Sequence, residues 1–122
     1  MVGIIDTGID YTHPVFRYSD GSSRILSIWD QTIQDGLPPQ GFLYGTEYTR
    51  EQIDLALRSA EPEMIMPGRD EQSHGTFLAS IAAGGADADN QFLGAAPDST
   101  IAFVRLKPAK TYLKEFYQIY MK

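Results

Sequence analysis

The hydrophobic positions of the chain fall into short apolar runs, typical of buried strands, and into stretches with helical spacing. Residues 2–5, 24–30 and 100–107 predict three strands, because each is a short apolar or alternating run next to turn residues. Residues 48–60 and 74–83 predict two helices. Strands that alternate with helices in this way predict an α/β fold built on a parallel sheet.

The predicted helices carry recognisable boundary signals. Thr49 and Gln52 fit a capping box at the start of the first helix, and Gly84 with Gly85 should end the second. A third helical pattern covers residues 110–122. Its aromatic and apolar residues fall on one face, which predicts a contact with a further element.

Composition limits the possible functions. At 122 residues the chain is one domain at most, or part of a larger one. Its formal charge of −6 argues against a nucleic-acid partner, which would need a basic patch. The absence of cysteine excludes disulfides, thiolate zinc sites and a cysteine nucleophile. No apolar run approaches the roughly 20 residues of a membrane span, and no signal-peptide pattern opens the chain.

Two polar residues stand at the ends of predicted elements. Asp6 follows the first strand, and His74 opens the second helix within Ser-His-Gly-Thr. A carboxylate can orient a histidine and stabilise its imidazolium, and that histidine can then take a proton from a serine hydroxyl. Gly75 keeps the backbone beside the imidazole free of side-chain bulk, and Thr76 can form hydrogen bonds at the helix start. Alternatively, Asp6 caps a turn and His74 caps a helix. That explanation accounts for each residue separately, but it does not account for the sequences that flank both of them.

The sequences around both residues resemble motifs of the subtilisin-like serine peptidases. "VGIIDTGIDYTHPVF" is similar to their aspartate motif, "SHGTFLASIAAG" to their histidine motif, and "LGAAPDSTIAFVRLK" to the segment that follows. The resemblance implies a parallel-sheet subtilisin-like fold with helices on both faces, incomplete in this chain. It identifies Asp6 and His74 as catalytic, leaves His13 as a turn residue, and shows Phe77 where many relatives carry a second histidine.

The spacing of the motifs narrows the resemblance. An insert of about residues 20–68 separates Asp6 from His74, as in clostridial subtilases such as those of spore germination, and residues 105–120 add to this likeness. The chain also enters a strand pattern at its second residue, where a natural domain seldom begins. We therefore expect residues 1–122 to be the N-terminal portion of one bacterial subtilase catalytic domain.

The resemblance also shows what the chain lacks. The family's nucleophile lies in a downstream Gly-Thr-Ser motif, and its oxyanion asparagine precedes that motif; neither motif is present. Ser73 occupies a variable position of the histidine motif. The full-length protein is thus expected to be a serine endopeptidase that hydrolyses proteins or peptides, whereas the fragment alone is expected to be inactive. Unpaired strand edges and the aromatic residues of 112–120 predict that the fragment self-associates.

Two other functions compete with this interpretation. "IIDTGID" also resembles the Asp-Thr-Gly site of dimeric retroviral-type aspartic proteases, but that all-β fold leaves the helix at residues 74–83 unexplained. A non-catalytic subtilase homologue that acts as a regulator or binding module stays open, because an altered serine would lie outside this chain.

No cofactor is expected for the triad chemistry. Subtilases often bind calcium, and Asp87, Asp89 and Asn90 offer oxygen ligands for such a hard cation. Residues of these types in a surface loop are more often ordinary turn residues. No metal site is therefore predicted from them.

Overall fold

The computed structural model describes residues 1–68, 70–86 and 92–113. In chain order its elements are strand β1 (Val2–Asp6), a 3-10 helix (Pro14–Phe16), strands β2 (Ile25–Asp30) and β3 (Thr46–Thr49), helices α1 (Arg50–Arg58), α2 (Pro62–Ile65) and α3 (His74–Ala83), and strand β4 (Ile101–Arg105). Most of the helix predicted over residues 110–122 lies outside the described residues.

The strands form one four-stranded sheet in the order β1-β4-β2-β3. β4 is parallel to both β1 and β2, which confirms the predicted parallel α/β class. The edge strand β3 runs antiparallel to β2 and was not predicted. Its residues pair with β2, so that Tyr48 stands opposite Ile28. Because β3 is defined by this long-range pairing, its own sequence shows no hydrophobic pattern typical of a strand. Tyr48 and Thr49 therefore belong to a strand, although the sequence predicted a helix from residue 48.

One face of the sheet carries the hydrophobic core. Ile4, Phe103, Ile28 and Tyr48 are register neighbours across the four strands and point to this face. Both longer helices pack against it, because α1 contributes Ile53 and Ala56 to the core and α3 contributes Ala79 and Ala83. Each fully buried large apolar side chain contributes about 1.5–3 kcal/mol of stability relative to an exposed one. The core thereby fixes α3 against the strands β1 and β4.

The opposite face of the sheet is largely open in the described part of the chain. Ile5 is 66% exposed there and stands beside Val104 in register, whereas Trp29, the next residue of that row, packs against the rings of Phe42 and Tyr44. The predicted helices are thus found on one face, and helices on the second face stay a prediction. None of the described helices is long and apolar enough to span a membrane.

The helix boundaries follow the local signals closely. The predicted capping box is confirmed: the Thr49 amide donates to Gln52 Oε1 at 2.8 Å, and the Gln52 amide to Thr49 Oγ1 at 3.4 Å. α1 ends at Arg58, two residues before the prediction, and α3 covers the predicted 74–83 before Gly84. The short α2, which begins at Pro62, lies in a segment that was predicted to be a loop.

Candidate active site

The structure brings together Asp6, the last residue of β1, and His74, the first residue of α3. The Nδ1 atom of His74 lies 2.7 Å from Asp6 Oδ1, within hydrogen-bond distance, across 68 positions of sequence. The Asp6 side chain is 10% exposed and the His74 side chain 62% exposed. The carboxylate is thus covered, while the imidazole reaches the surface, as a proton-transferring group at a substrate cleft must. The predicted pairing of the two side chains is confirmed, and their catalytic role stays a prediction.

The surroundings of Asp6 keep its carboxyl group ionised. Burial raises the pKa of Asp6, but hydrogen bonds from His74 and from the Thr7 amide, at 2.7 Å, oppose it, and the pKa lies below its ordinary value of 3.8. An ionised carboxylate only accepts hydrogen bonds. His74 must therefore donate through Nδ1, which leaves Nε2 as the proton acceptor of the neutral ring.

Two glycines allow the close approach of α3 to the loop after β1. A Cβ at Gly75 would overlap the carbonyl oxygen of Gly8 and would lie 3.0 Å from Phe103 Cζ. Gly8 itself has a φ of +149°, a conformation that L side chains rarely adopt. The sequence predicted that Gly75 frees space near the imidazole, and the structure shows that this space is filled by the Gly8 backbone.

Three polar residues that the sequence did not single out surround the pair. Thr7 and Asp70 link the end of β1 to the start of α3: the Thr7 hydroxyl donates to Asp70 Oδ1 at 2.9 Å and accepts from the Gly75 amide at 3.1 Å. Arg105 donates from Nε to the Thr7 carbonyl at 3.2 Å and pairs with the Asp30 carboxylate at 3.1 Å. Their only sequence signal is position, because Thr7 and Arg105 lie inside the quoted motifs and Asp70 lies three residues before one, while their partners are distant along the chain.

The second histidine is part of a turn, as predicted. His13 Nδ1 accepts a hydrogen bond from the Val15 amide at 3.2 Å at the start of the 3-10 helix, and its ring meets Phe16 edge to face. It lines, together with Asp10 and Ser73, a cavity of about 520 Å³ beside the start of α3.

No serine of the described residues is hydrogen-bonded to His74, and every serine of the sequence lies within those residues. Ser73 precedes His74 but has a φ of 60°, in the left-handed region, and its side chain does not cap α3. The described residues also hold no cluster of three or more His, Asp or Glu side chains suited to a metal. The loop with Asp87, Asp89 and Asn90 lies outside them.

The fold excludes the alternative based on the Asp-Thr-Gly sequence. Asp6 ends a strand that is parallel to its neighbour, Thr7 and Gly8 follow it, and α3 packs against that strand. An aspartic protease of the retroviral type would be all-β. The mixed sheet and the carboxylate–imidazole pair therefore favour the serine peptidase interpretation.

Comparison with known proteins identifies the family of the chain. The model of the subtilase family matches residues 1–119. The solved structure of the CspB protease of Clostridium perfringens is 34% identical, with a TM-score of 0.73 over 98% of this chain and 25% of that one. This chain therefore spans about a quarter of the protease's length. Among curated proteins, none matches the sequence. Motifs, fold and comparison agree, and the chain belongs to the subtilase family.

Proposed function

We propose that Asp6 and His74 are the aspartate and histidine of a Ser-His-Asp triad in a serine endopeptidase. The observation that carries this proposal is the 2.7 Å contact between His74 Nδ1 and Asp6 Oδ1. Family membership supports the reaction class, and the exposed imidazole supports its role as a base. The substrate is a protein or peptide.

The pair acts on a serine hydroxyl. His74 Nε2 takes the hydroxyl proton as the serine oxygen attacks the carbonyl carbon of the peptide bond, and it then gives that proton to the leaving amine. Water repeats the sequence on the acyl-enzyme and releases the acid product with the serine restored. Asp6 holds the ring in the Nδ1–H tautomer and balances the positive charge of the imidazolium. No cofactor takes part in these steps.

The nucleophile of this proposal lies outside the 122 residues. No serine here stands in a Gly-Thr-Ser motif, and the chain spans about a quarter of the related protease. In subtilisin, a member of this family, loss of the serine alone lowers turnover by about 2 × 10⁶-fold. That corresponds to roughly 8–9 kcal/mol of barrier, and we therefore propose that this chain alone cleaves nothing.

Self-association of the isolated chain forms part of the proposal. The open part of the sheet face exposes Ile5, with Val104 beside it in the same row, and an exposed apolar patch favours pairing with a second copy. We propose that a second copy of this chain covers the exposed sheet face. The acidic balance of the chain, with a net charge of −6, gives nucleic acid no basic surface to bind.

Peptide-hydrolysis kinetics of the full-length protein test the function. We expect His74→Ala to lower kcat by about 10⁶-fold and Asp6→Ala by about 10⁴-fold, as for the corresponding triad members of subtilisin. The matched control is His13→Ala, which removes the other histidine and should change kcat by less than about threefold, because it affects one turn.

A non-catalytic subtilase homologue would give a different result. It would show no hydrolysis in the wild type, whereas an active enzyme that is insensitive to His74→Ala would show that another group is the base. Either result would overturn the assignment.

A further inference from the structure

The Asp70 carboxylate lies between the Asp6 strand and the His74 helix and accepts hydrogen bonds from both sides. Oδ1 accepts from the Thr7 hydroxyl at 2.9 Å. Oδ2 accepts from Thr76 twice, from the amide at 2.8 Å and from the hydroxyl at 2.6 Å. We propose that Asp70 is a positioning residue that holds His74 in register with Asp6, an inference that rests on the proposed function.

The first step concerns the direction of the Thr7 hydroxyl. A hydroxyl has one proton to donate, and Thr7 gives it to Asp70, so a lone pair of the same oxygen is left for the Gly75 amide at 3.1 Å. The Thr7 amide meanwhile donates to Asp6 Oδ1 at 2.7 Å. One residue thus binds the proposed catalytic carboxylate through its backbone and the residue after His74 through its side chain.

The second step concerns the start of α3. The first amides of a helix have no partner inside it, and Ser73 supplies no side-chain cap. The amides of Gly75 and Thr76 are instead bound by Thr7 Oγ1 and Asp70 Oδ2. The helix that begins with His74 is therefore capped from outside, and the cap is attached to β1. A negative charge is favourable at this end of a helix.

The third step concerns the opposite side of the network. After donating to Asp70, the Thr76 hydroxyl accepts from the Asp10 amide at 2.9 Å, so the loop after β1 is held at a second point. Arg105 fixes the Thr7 carbonyl from the sheet at 3.2 Å. Asp70 is the only acceptor in this set that binds donors from both motifs, and its loss removes three hydrogen bonds that link them.

The tautomers of the two histidines provide the test. His74 donates through Nδ1 to Asp6, whereas His13 Nδ1 accepts from the Val15 amide, so the neutral rings should be opposite tautomers. Ring ¹⁵N shifts distinguish them in a chain labelled at its two histidines. Magic-angle-spinning NMR reads them in associated material as well, and His13 serves as an internal standard.

Substitution of Asp70 gives the decisive comparison. With Asp70→Ala we expect the Nδ1–H form of His74 to fall from the majority to a minority, while His13 is unchanged. Asp20→Ala is the matched control, because Asp20 also accepts an amide and a hydroxyl, both from Ser22, in a loop away from the site. It should leave both rings as in the wild type. A folded Asp70→Ala chain with a wild-type His74 tautomer would overturn the proposal, since a merely structural role would lower stability and leave the tautomer unchanged.

A second pair of variants covers the case in which Asp70→Ala does not fold. Thr7→Val removes the hydroxyl at nearly constant shape, and Thr7→Ser keeps it. We expect the Nδ1–H form of His74 to be lost in the first and retained in the second, whereas equal tautomer ratios in both would contradict the proposal. The readout needs no activity, so the two failures are distinguishable: kinetics insensitive to His74→Ala would refute the proposed function, whereas an unchanged His74 tautomer would refute the positioning role of Asp70.

Discussion

Gly75, the second residue of α3, packs directly on the backbone of Gly8, two residues after Asp6. A Cβ at position 75 would overlap the Gly8 carbonyl oxygen and come within 3.0 Å of both Gly8 N and Phe103 Cζ. Two of these three atoms belong to the backbone, and neither they nor the buried ring can move aside without shifting β1 or the core. The distance between the proposed catalytic residues thus depends on residue 75 being glycine, which has no Cβ.

Gly75→Ala should therefore destabilise the chain by about 3 kcal/mol, at the upper end of ordinary overpacking. Gly3→Ala is the matched control, because a Cβ there meets nothing within 4 Å. Alanine in that strand position should be neutral or stabilising by up to about 1 kcal/mol. Urea-unfolding midpoints of the two variants provide the measurement, and equal midpoints would refute the packing argument.

Ser73→Gly should stabilise the chain. Ser73 has a φ of 60°, which costs a non-glycine residue about 1–2 kcal/mol, and its side chain makes no capping bond in return. Glycine loses about 0.5–1 kcal/mol more in backbone entropy on folding, so the net gain lies between about 0 and 1.5 kcal/mol. Ser59→Gly, at a φ of −79°, lacks that gain and should destabilise. If the thermal-unfolding midpoint of Ser59→Gly were higher than that of Ser73→Gly, the argument from backbone strain at Ser73 would be contradicted.

The Asp6 carboxylate should give the chain an acid-sensitive component of stability. Its pKa in the folded state lies below the ordinary value of 3.8, so this stability is fully present above pH 3.8 and is lost as the pH falls through the folded-state pKa. Asp6→Asn keeps an acceptor for His74 but does not titrate. Urea titrations between about pH 2 and 5 should therefore show a shallower loss of stability for the variant. Identical slopes would show that Asp6 is not favoured in its ionised form.

The open sheet face predicts concentration-dependent association of the isolated chain. Ile5→Thr places a polar group on that face and should weaken association by about tenfold or more, from the apolar burial it removes. Met64→Thr changes a residue that is 79% exposed on α2, outside the sheet, and should have little effect. Light scattering across a dilution series provides the measurement. A wild-type monomer at high concentration would refute the prediction.

The sequence was sufficient for elements whose signals are local. α3 covers the predicted residues because apolar spacing and a terminal glycine define it, and the capping box of α1 lies within four residues. β3 was missed because its stability comes from pairing with β2, and α2 because a four-residue helix has too few positions to show a period. Short elements of this kind are determined by tertiary contacts.

The residues of the site also differ in how far the sequence could predict them. Asp6 and His74 could be paired in advance because each stands in a motif and at the end of a predicted element. The network of Asp70, Thr7 and Arg105 could not, because its contacts span 63 positions between Thr7 and Asp70 and 98 between Thr7 and Arg105. Threonine, aspartate and arginine near a motif have many other roles, and only the fold shows which atoms meet.

Labelling with a fluorophosphonate probe, which reacts with an activated serine, tests the central claim most directly. We expect the full-length protein to label at one serine, His74→Ala to lose this labelling, and His13→Ala to label as the wild type does. The 122-residue chain alone should not label. Labelling of the full-length protein that is unchanged in His74→Ala, or His74-dependent labelling of a serine within this chain, would contradict the account.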